Sequence, residues 1–425
     1  MSQRISPCPI PMAVLAYCVT APALAGTLTT DGPDLIIKTK GGLEVHSADK
    51  DFGFKIDGRL QGDYDSFDGV YTANGRGADE FYIRRAFLTL SGYAYTDWSY
   101  IFSLDFGDSG SGSWFEASVT YSGFEWVNIK VGRFDLLPGL ERATSSNWIT
   151  AIERSAIYEL ASWSQEKNGY GIQASGTYSN LVYANVGLFR QNNNEDEDSG
   201  RGKNTFLIRS VVAPIQDNGH LLHLGGSFAL RRIDNTDGND TGAISSRLGV
   251  RGVTEDAING LRASLADGVE DGFDHDRVWL VEAAYQFGPA SIQGEYLRRD
   301  LNGRDGQADR KAAGYYLQAA YTLTGEARGY RLSSGRFDRV RPSDPHLGAW
   351  EVFYRYEDLA VEQRRLADRE ATIHTLGVNW YANDAVRISL NYLMADTDNV
   401  VTAEERAAGR TGDGEAVSAR LQYVF

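Results

Sequence analysis

The chain has 425 residues and carries 42 Lys+Arg against 57 Asp+Glu, a formal net charge of −15. That balance excludes nucleic acid as the main partner, because affinity for a phosphate backbone needs a basic face. A hydrophobic content of 42%, with 46 glycines and 23 tyrosines, excludes disorder and favours strand chemistry over helix chemistry.

Residues 1–25 read as an export signal: Arg4, an apolar stretch from Met12 to Val19, then Ala23-Leu24-Ala25 as a small-residue cleavage site. The mature chain then spans residues 26–425. Both cysteines, Cys8 and Cys18, fall inside the leader, so no disulfide supports the mature fold. Losing Arg4 and no acid leaves 41 minus 57, or −16.

After Ala25 no apolar run is long enough for a membrane-spanning helix. What recurs instead is a period of two. In Phe52 to Tyr64 the even positions Phe54, Ile56, Leu60 and Tyr64 are apolar, and the odd positions Lys55, Asp57, Arg59, Gln61 and Asp63 are polar. One face suits lipid and the other water. Trp98 to Phe106, Leu222 to Arg231, Trp279 to Phe287, Trp350 to Tyr354, Leu376 to Trp380 and Val386 to Met394 repeat the pattern. The last strand sets Val417, Leu421, Tyr423 and Phe425 outward against Ser418, Arg420 and Gln422 inward. Roughly 16 such segments, joined alternately by short turns and long polar loops, predict an all-β transmembrane antiparallel β-barrel. Short connections are Thr96-Asp97 and Ala382-Asn383-Asp384; long ones are Asn192 to Lys203 and Thr254 to Asp276. A soluble sandwich would alternate too, but would not need Tyr and Trp near its strand ends.

Asp135 to Lys167 is no ordinary surface loop. It spends Leu136, Leu137, Leu140, Trp148, Ile149, Ile152 and Ile157 on one connection and carries Arg142 and Arg154. Its place after about the fifth strand predicts a third loop folded into the lumen, apolar side on the wall and charged side on the passage. Lys55 and Arg59 lie on the water face of the first strand, and Arg84 and Arg85 follow on the second. Adjacent strand residues point oppositely, so both can face the lumen only across a bulge. Lys38, Lys40 and Lys50 precede the first strand, Arg247 and Arg251 sit in a long loop, and Arg328, Arg331, Arg336, Arg339 and Arg341 share another connection, where Arg336 is expected to matter less. An arginine ladder of this kind would bind oxyanions through parallel hydrogen bonds at any working pH. Nearby Asp57, Asp63, Asp105 and Glu116 could instead neutralise it, so charge counting alone does not decide selectivity.

An enzyme finds little support. The six histidines are scattered, His220 and His223 fall on opposite faces of one strand, and Gly107 to Ser113 lacks the lysine of a phosphate-binding loop. No cofactor, metal or catalytic residue is expected.

The stretches FKIDGRLQGDYDSFDG from Phe54, YIRRAFL from Tyr82, GLERATSSNWITAIER from Gly139, HTLGVNWYAN from His374 and ARLQYVF from Ala419 resemble the phosphate-selective porins O and P of bacterial outer membranes. The resemblance implies a homotrimer of barrels and an anion-binding constriction at Arg59, Arg84, Arg85, Arg142 and Arg154. Lys38, Lys40, Lys50 and Lys55 would serve the inner vestibule, and Arg247, Arg251 and Arg262 the outer one. Phe87 and Asp135 stand where the family's orthophosphate branch has tyrosines, a pairing similar to the polyphosphate branch. Ser99 replaces a lysine of the orthophosphate branch, and parts of the outer ladder fall on Ala243 and Ser245, so that ladder is thinner here. Partners implied are phosphate, pyrophosphate or polyphosphate, outer-membrane lipid and lipopolysaccharide, and the barrel-assembly machinery through Phe425. A sugar-selective or general porin is the alternative.

Overall fold

A computed structural model describes residues 26–28, 33–39, 41–107, 112–161, 169–191, 203–217, 219–232, 242–253, 259–269, 272–304, 306–362 and 367–425. The expected leader, Lys40 and most of the connection from Asn192 lie outside them. Among the described residues sixteen antiparallel strands close on themselves. They are β1 Phe52–Gly69, β2 Gly75–Ala94, β3 Trp98–Asp105, β4 Ser113–Tyr121, β5 Asn128–Phe134, β6 Gly169–Tyr178, β7 Val182–Gln191 and β8 Lys203–Asp217. They continue with β9 His220–Arg232, β10 Phe273–Phe287, β11 Ala290–Gly303, β12 Arg310–Thr322, β13 Ala349–Glu362, β14 Arg369–Tyr381, β15 Val386–Asp398 and β16 Asp413–Val424. Closure is made by β16 on β1, from Ala416↔Phe67 to Val424↔Arg59. Because β16 stops there, the edge of β1 below Arg59 is taken by the preceding strand Leu43–Ser47, paired Val45↔Phe54.

The alternation read from sequence is the burial pattern. On β16 Val417, Leu421 and Tyr423 are exposed while Ser418, Arg420 and Gln422 are buried. Exposed apolar residues on the outside and buried polar ones inside invert the soluble arrangement, as lipid outside and a polar lumen require. Exposed aromatics gather near the short-turn ends: Trp98, Tyr178, Phe287, Tyr321, Trp350 and Tyr423. Such rings suit the membrane interface. One boundary shifts: β10 begins at Phe273, inside the connection expected to run from Thr254 to Asp276, and a short hairpin of Ile244–Ser246 with Ala263–Ala266 lies between β9 and β10, its first strand ahead of Thr254.

Two connections meet the inward side chains of the wall. In the segment from Asp135, short helical turns form at Leu140–Ala143 and Ala156–Glu159. A four-residue helix leaves most of its N–H groups unmet, and neighbouring strands supply acceptors. Glu295 on β11 accepts from Leu140 N at 3.1 Å and Glu141 N at 2.8 Å, and Glu357 on β13 accepts from Ala156 N at 2.7 Å. A β-carbon at Gly139 would collide with the Glu295 carboxylate. Wall arginines take the carbonyls: Arg299 donates to Leu160 O, Arg355 to Glu153 O, Arg387 to Ile149 O and Thr150 O, and Arg420 to Ile152 O. From the opposite end comes the hairpin Arg328–Arg331 with Arg336–Val340. Arg209 on β8 donates to Ser334 O and Gly335 O, and Arg336 donates to Ala143 O.

Candidate functional site

Between β1, β2, β4, β5 and the segment from Asp135 lies a cavity of about 350 Å³. All seven residues expected at the constriction line it: Arg59, Arg84, Arg85, Phe87, Asp135, Arg142 and Arg154. Adding Lys130, Arg247, Arg251 and Arg336 gives nine cationic side chains, against Asp105, Glu116, Asp135, Glu153 and Glu159. A chain of net charge −15 thus presents a cationic excess of four here.

The bulge settles how neighbouring arginines share one face. Gln61 pairs with Arg85 and Gly62 with Ile83, so Arg84 is the extra residue and the phase of β2 shifts by one. Both guanidiniums then reach Glu153. Arg84 binds it with two hydrogen bonds, 2.9 and 3.1 Å, while Arg85 stands 3.8 Å away and donates to Gln61 at 2.9 Å. Arg420 completes the cluster at 2.7 Å and also binds Asp63. Burial alone would raise the Glu153 pKa, but Arg84, Arg85 and Arg420 together hold it well below the usual carboxylate range.

Not every arginine is neutralised. Arg142 pairs with Asp135 at 3.1 Å and Arg247 with Glu159 at 3.3 Å. Arg59 instead donates to Ser146 at 2.8 Å and Asn147 at 3.0 Å, and its guanidinium lies 3.8 Å from the Phe87 ring centroid. Phe87 is buried and packs on Phe115. Arg154 donates to the carbonyls of Glu141 and Thr144. Among the described residues neither Arg59 nor Arg154 forms an ion pair. Burial, with Arg142 adding to it, presses the Arg154 pKa down to about 10, which leaves it protonated at neutral pH. The Nε atoms of Arg59, Arg142 and Arg247 are buried without an acceptor among the described residues.

The vestibule residues divide. Arg247 and Arg251 line the cavity, whereas Arg262 does not, and its carbonyl accepts from Arg410. Lys38 is exposed and paired with Glu44, Lys55 pairs with Asp57, and Lys50 takes a positive φ of 63° in a turn. A second cavity of about 190 Å³ continues toward the short-turn end, bounded by Arg59, Phe87, Asp57 and Glu116. Sequence reasoning missed Lys130 and underrated Arg336. Lys130 was legible, since it shares a strand face with Phe134, four positions on, and its ammonium lies 4.6 Å from that ring. The position of Arg336 was not, because no local pattern shows that its hairpin meets Ala143.

The family model "Phosphate-selective porin O and P" matches residues 54–425. Porin O of Pseudomonas aeruginosa is 45% identical, over 97% of each chain. An uncharacterized protein of Caulobacter vibrioides is 25% identical over 85% of this chain and 71% of that one. Among solved structures, the anion-selective porin from Comamonas acidovorans superposes with a TM-score of 0.52 at 14% identity, covering 88% of this chain and all of the other. A loop-deletion form of OmpT, an outer membrane protein of Vibrio cholerae, gives 0.56 at 11%, with the same coverages. Those likenesses speak for the fold. The whole-length sequence match speaks for kinship and for an outer-membrane channel in place of an enzyme, and the chain belongs to the phosphate-selective porin O and P family.

Proposed function

We propose that the mature protein, residues 26–425 after removal of residues 1–25, works as a homotrimeric outer-membrane porin selective for anions. It would pass phosphate and, in preference, pyrophosphate or short polyphosphate by facilitated diffusion. The observation that carries this reading is the cavity wall, with nine cations against five acids and Arg59 and Arg154 without a carboxylate partner. At ~4 Å and an effective dielectric near 20, each opposite charge contributes about 4 kcal/mol before desolvation is subtracted. That is enough to strip part of an oxyanion's water.

In this reading the segment from Asp135 to Ala161 narrows the lumen and presents Arg142 and Arg154 to the solute. Release needs sites of comparable depth in series. Arg247 and Arg251 precede the constriction from the long-loop side, and Arg59 hands the anion to the smaller cavity. Asp57 and Glu116 there already engage Lys55 and Lys130, so the smaller cavity offers the anion fewer open cations and a shallower site. Phe87 and Asp135 leave the constriction with a flat apolar wall and one carboxylate already engaged by Arg142, which supports an elongated anion over a compact one. The carboxy-terminal Phe425, whose backbone is paired with Gly58, would be the mark read by the assembly machinery before closure.

Purified protein in planar bilayers tests the reading. The reversal potential in a KCl gradient should report chloride preference, and pyrophosphate should block the chloride current at lower concentration than orthophosphate. Equal block by the two would remove the pyrophosphate preference, and a potassium-selective channel would remove the whole proposal.

A further inference from the structure

Three donors converge on one carboxylate of the chain's own at the long-loop side of the cavity. In the connection between β9 and β10, Leu248 and Gly249 take positive φ of 49° and 84° and fold the chain back just after Ser246 and Arg247. Facing them is Glu159, the last residue of the helical turn Ala156–Glu159. One of its oxygens, Oε2, accepts from the Ser246 hydroxyl at 2.6 Å and from Arg247 N at 2.8 Å, and Oε1 accepts from the Arg247 guanidinium at 3.3 Å. A hydroxyl, a backbone N–H and a guanidinium gathered around one pair of oxygens form a donor set that suits a phosphate as well as a carboxylate.

Neither side of this contact depends on it for its position. The turn is fastened to its surroundings without Glu159: Tyr71 Oη donates to Leu248 O at 3.2 Å, Asp65 on β1 accepts from Gly252 N at 2.7 Å, and Ser246 Oγ accepts from Leu248 N at 2.9 Å. The segment that bears Glu159 is fastened on either side of it, Ala156 N to Glu357 and Leu160 O to Arg299. Both halves therefore keep their places when the carboxylate leaves. Glu159 and Arg247 line the cavity, and the Glu159 side chain is 13% exposed, within reach of a solute.

We infer that Glu159 is a resident counter-anion, displaced from Ser246 and Arg247 by each incoming oxyanion, and thus a specificity-determining residue ahead of the constriction. The inference rests on the anion-passing reading above and deepens it. Displacement favours a solute whose oxygens replace all three hydrogen bonds and which carries more than one charge. Chloride, with a single charge, gains less from the exchange. Because every solute must first expel the carboxylate, the site stays shallow and releases what it binds, as a series of sites requires.

The test is a double-variant cycle read in planar bilayers, with pyrophosphate added from the long-loop side. Glu159→Gln keeps the side chain's length and removes its charge, so block should set in at about tenfold lower concentration, the low end for one charge-assisted hydrogen bond. In a Ser246→Ala background the same change should gain about threefold or less, because the vacated site has lost a donor. Glu116→Gln removes a cavity charge outside this site and should shift block equally with and without Ser246. A Glu159→Gln gain that persists in full without Ser246 would reduce Glu159 to a general negative charge and overturn the inference. Weaker block by Glu159→Gln would make it a strut and overturn the inference too. Crystals of the protein soaked in tungstate give a readout independent of conduction: the anion should occupy Ser246 and Arg247 in Glu159→Gln but not in the wild type at the same concentration, and equal occupancy in the two overturns the inference. A potassium-selective wild type would remove the anion-passing reading itself, and the tungstate comparison would still decide whether Glu159 holds an anion's place.

Discussion

The guanidinium of Arg59 stacks over the ring of Phe87, 3.8 Å from its centroid. An apolar ring in the cavity wall thus holds a cation in place without neutralising its charge. Replacing Phe87 by Leu keeps the apolar bulk and removes the ring's negative face. Cation–π contacts of this kind contribute about 0.5–2 kcal/mol, so pyrophosphate block should weaken roughly twofold to thirtyfold. Single-channel titration with the anion measures it, and unchanged block would show the stacking to be incidental.

Arg154 and Arg336 enter the cavity from opposite ends of the barrel, and both are anchored on carbonyls of the turn that contains Ala143 and Thr144. Arg154→Ala should weaken anion block about tenfold, the loss of one charge-assisted hydrogen bond. Arg336→Ala should produce a smaller but measurable loss. If Arg336→Ala leaves block untouched, the hairpin that carries it serves only to fill the barrel.

Glu153 gathers Arg84, Arg85 and Arg420. Its folded pKa lies well below the ordinary carboxylate range because of those three cations, once the opposing effect of burial is overcome. A depressed carboxylate contributes stability that is fully present above the unfolded value, about 4.3, and is lost as pH falls through the lower folded value. The difference in melting temperature between wild type and Glu153→Gln should therefore be constant from neutral pH to about pH 5 and shrink in more acidic buffer. The same variant should raise chloride preference over potassium, since it removes a lumen-side negative charge. Lower chloride preference would contradict this account.

Glu295 never meets the solute cavity, yet it fixes the turn from which Arg142 projects. It accepts from Leu140 N and Glu141 N and from the hydroxyls of Tyr158 at 2.5 Å and Tyr316 at 2.7 Å. Glu295→Ala would orphan four buried donors, each at about 1–3 kcal/mol if left unmet. The turn should then shift, with pyrophosphate block weakened severalfold and heat stability reduced. Tyr316→Phe removes one donor and leaves the N–H anchors, so it should retain near-normal block. A Tyr316→Phe channel as impaired as Glu295→Ala would place the effect elsewhere.

Much of this protein follows from a period of two. Alternation in β1 and β16 tells which residues meet lipid, because side chains on a strand take opposite faces and the bilayer accepts only one kind. The number of strands follows from the count of such segments, and closure from the need to leave no edge unpaired in lipid. The excess of large apolar residues between Asp135 and Lys167 likewise announced a connection that packs on something.

Position across the barrel is another matter. That Arg84 and Arg85 share a face depends on one unpaired residue in the ladder, which alternation by itself forbids. That Arg336 approaches Ala143, or that Glu295 anchors a turn 155 residues earlier in the chain, rests on contacts between distant segments with no local signature. Composition and periodicity therefore determined the barrel, its membrane-facing surface and the supply of arginines. Only the tertiary structure decided which arginines are neutralised and which are left open, because pairing depends on distances between groups that the linear order does not contain.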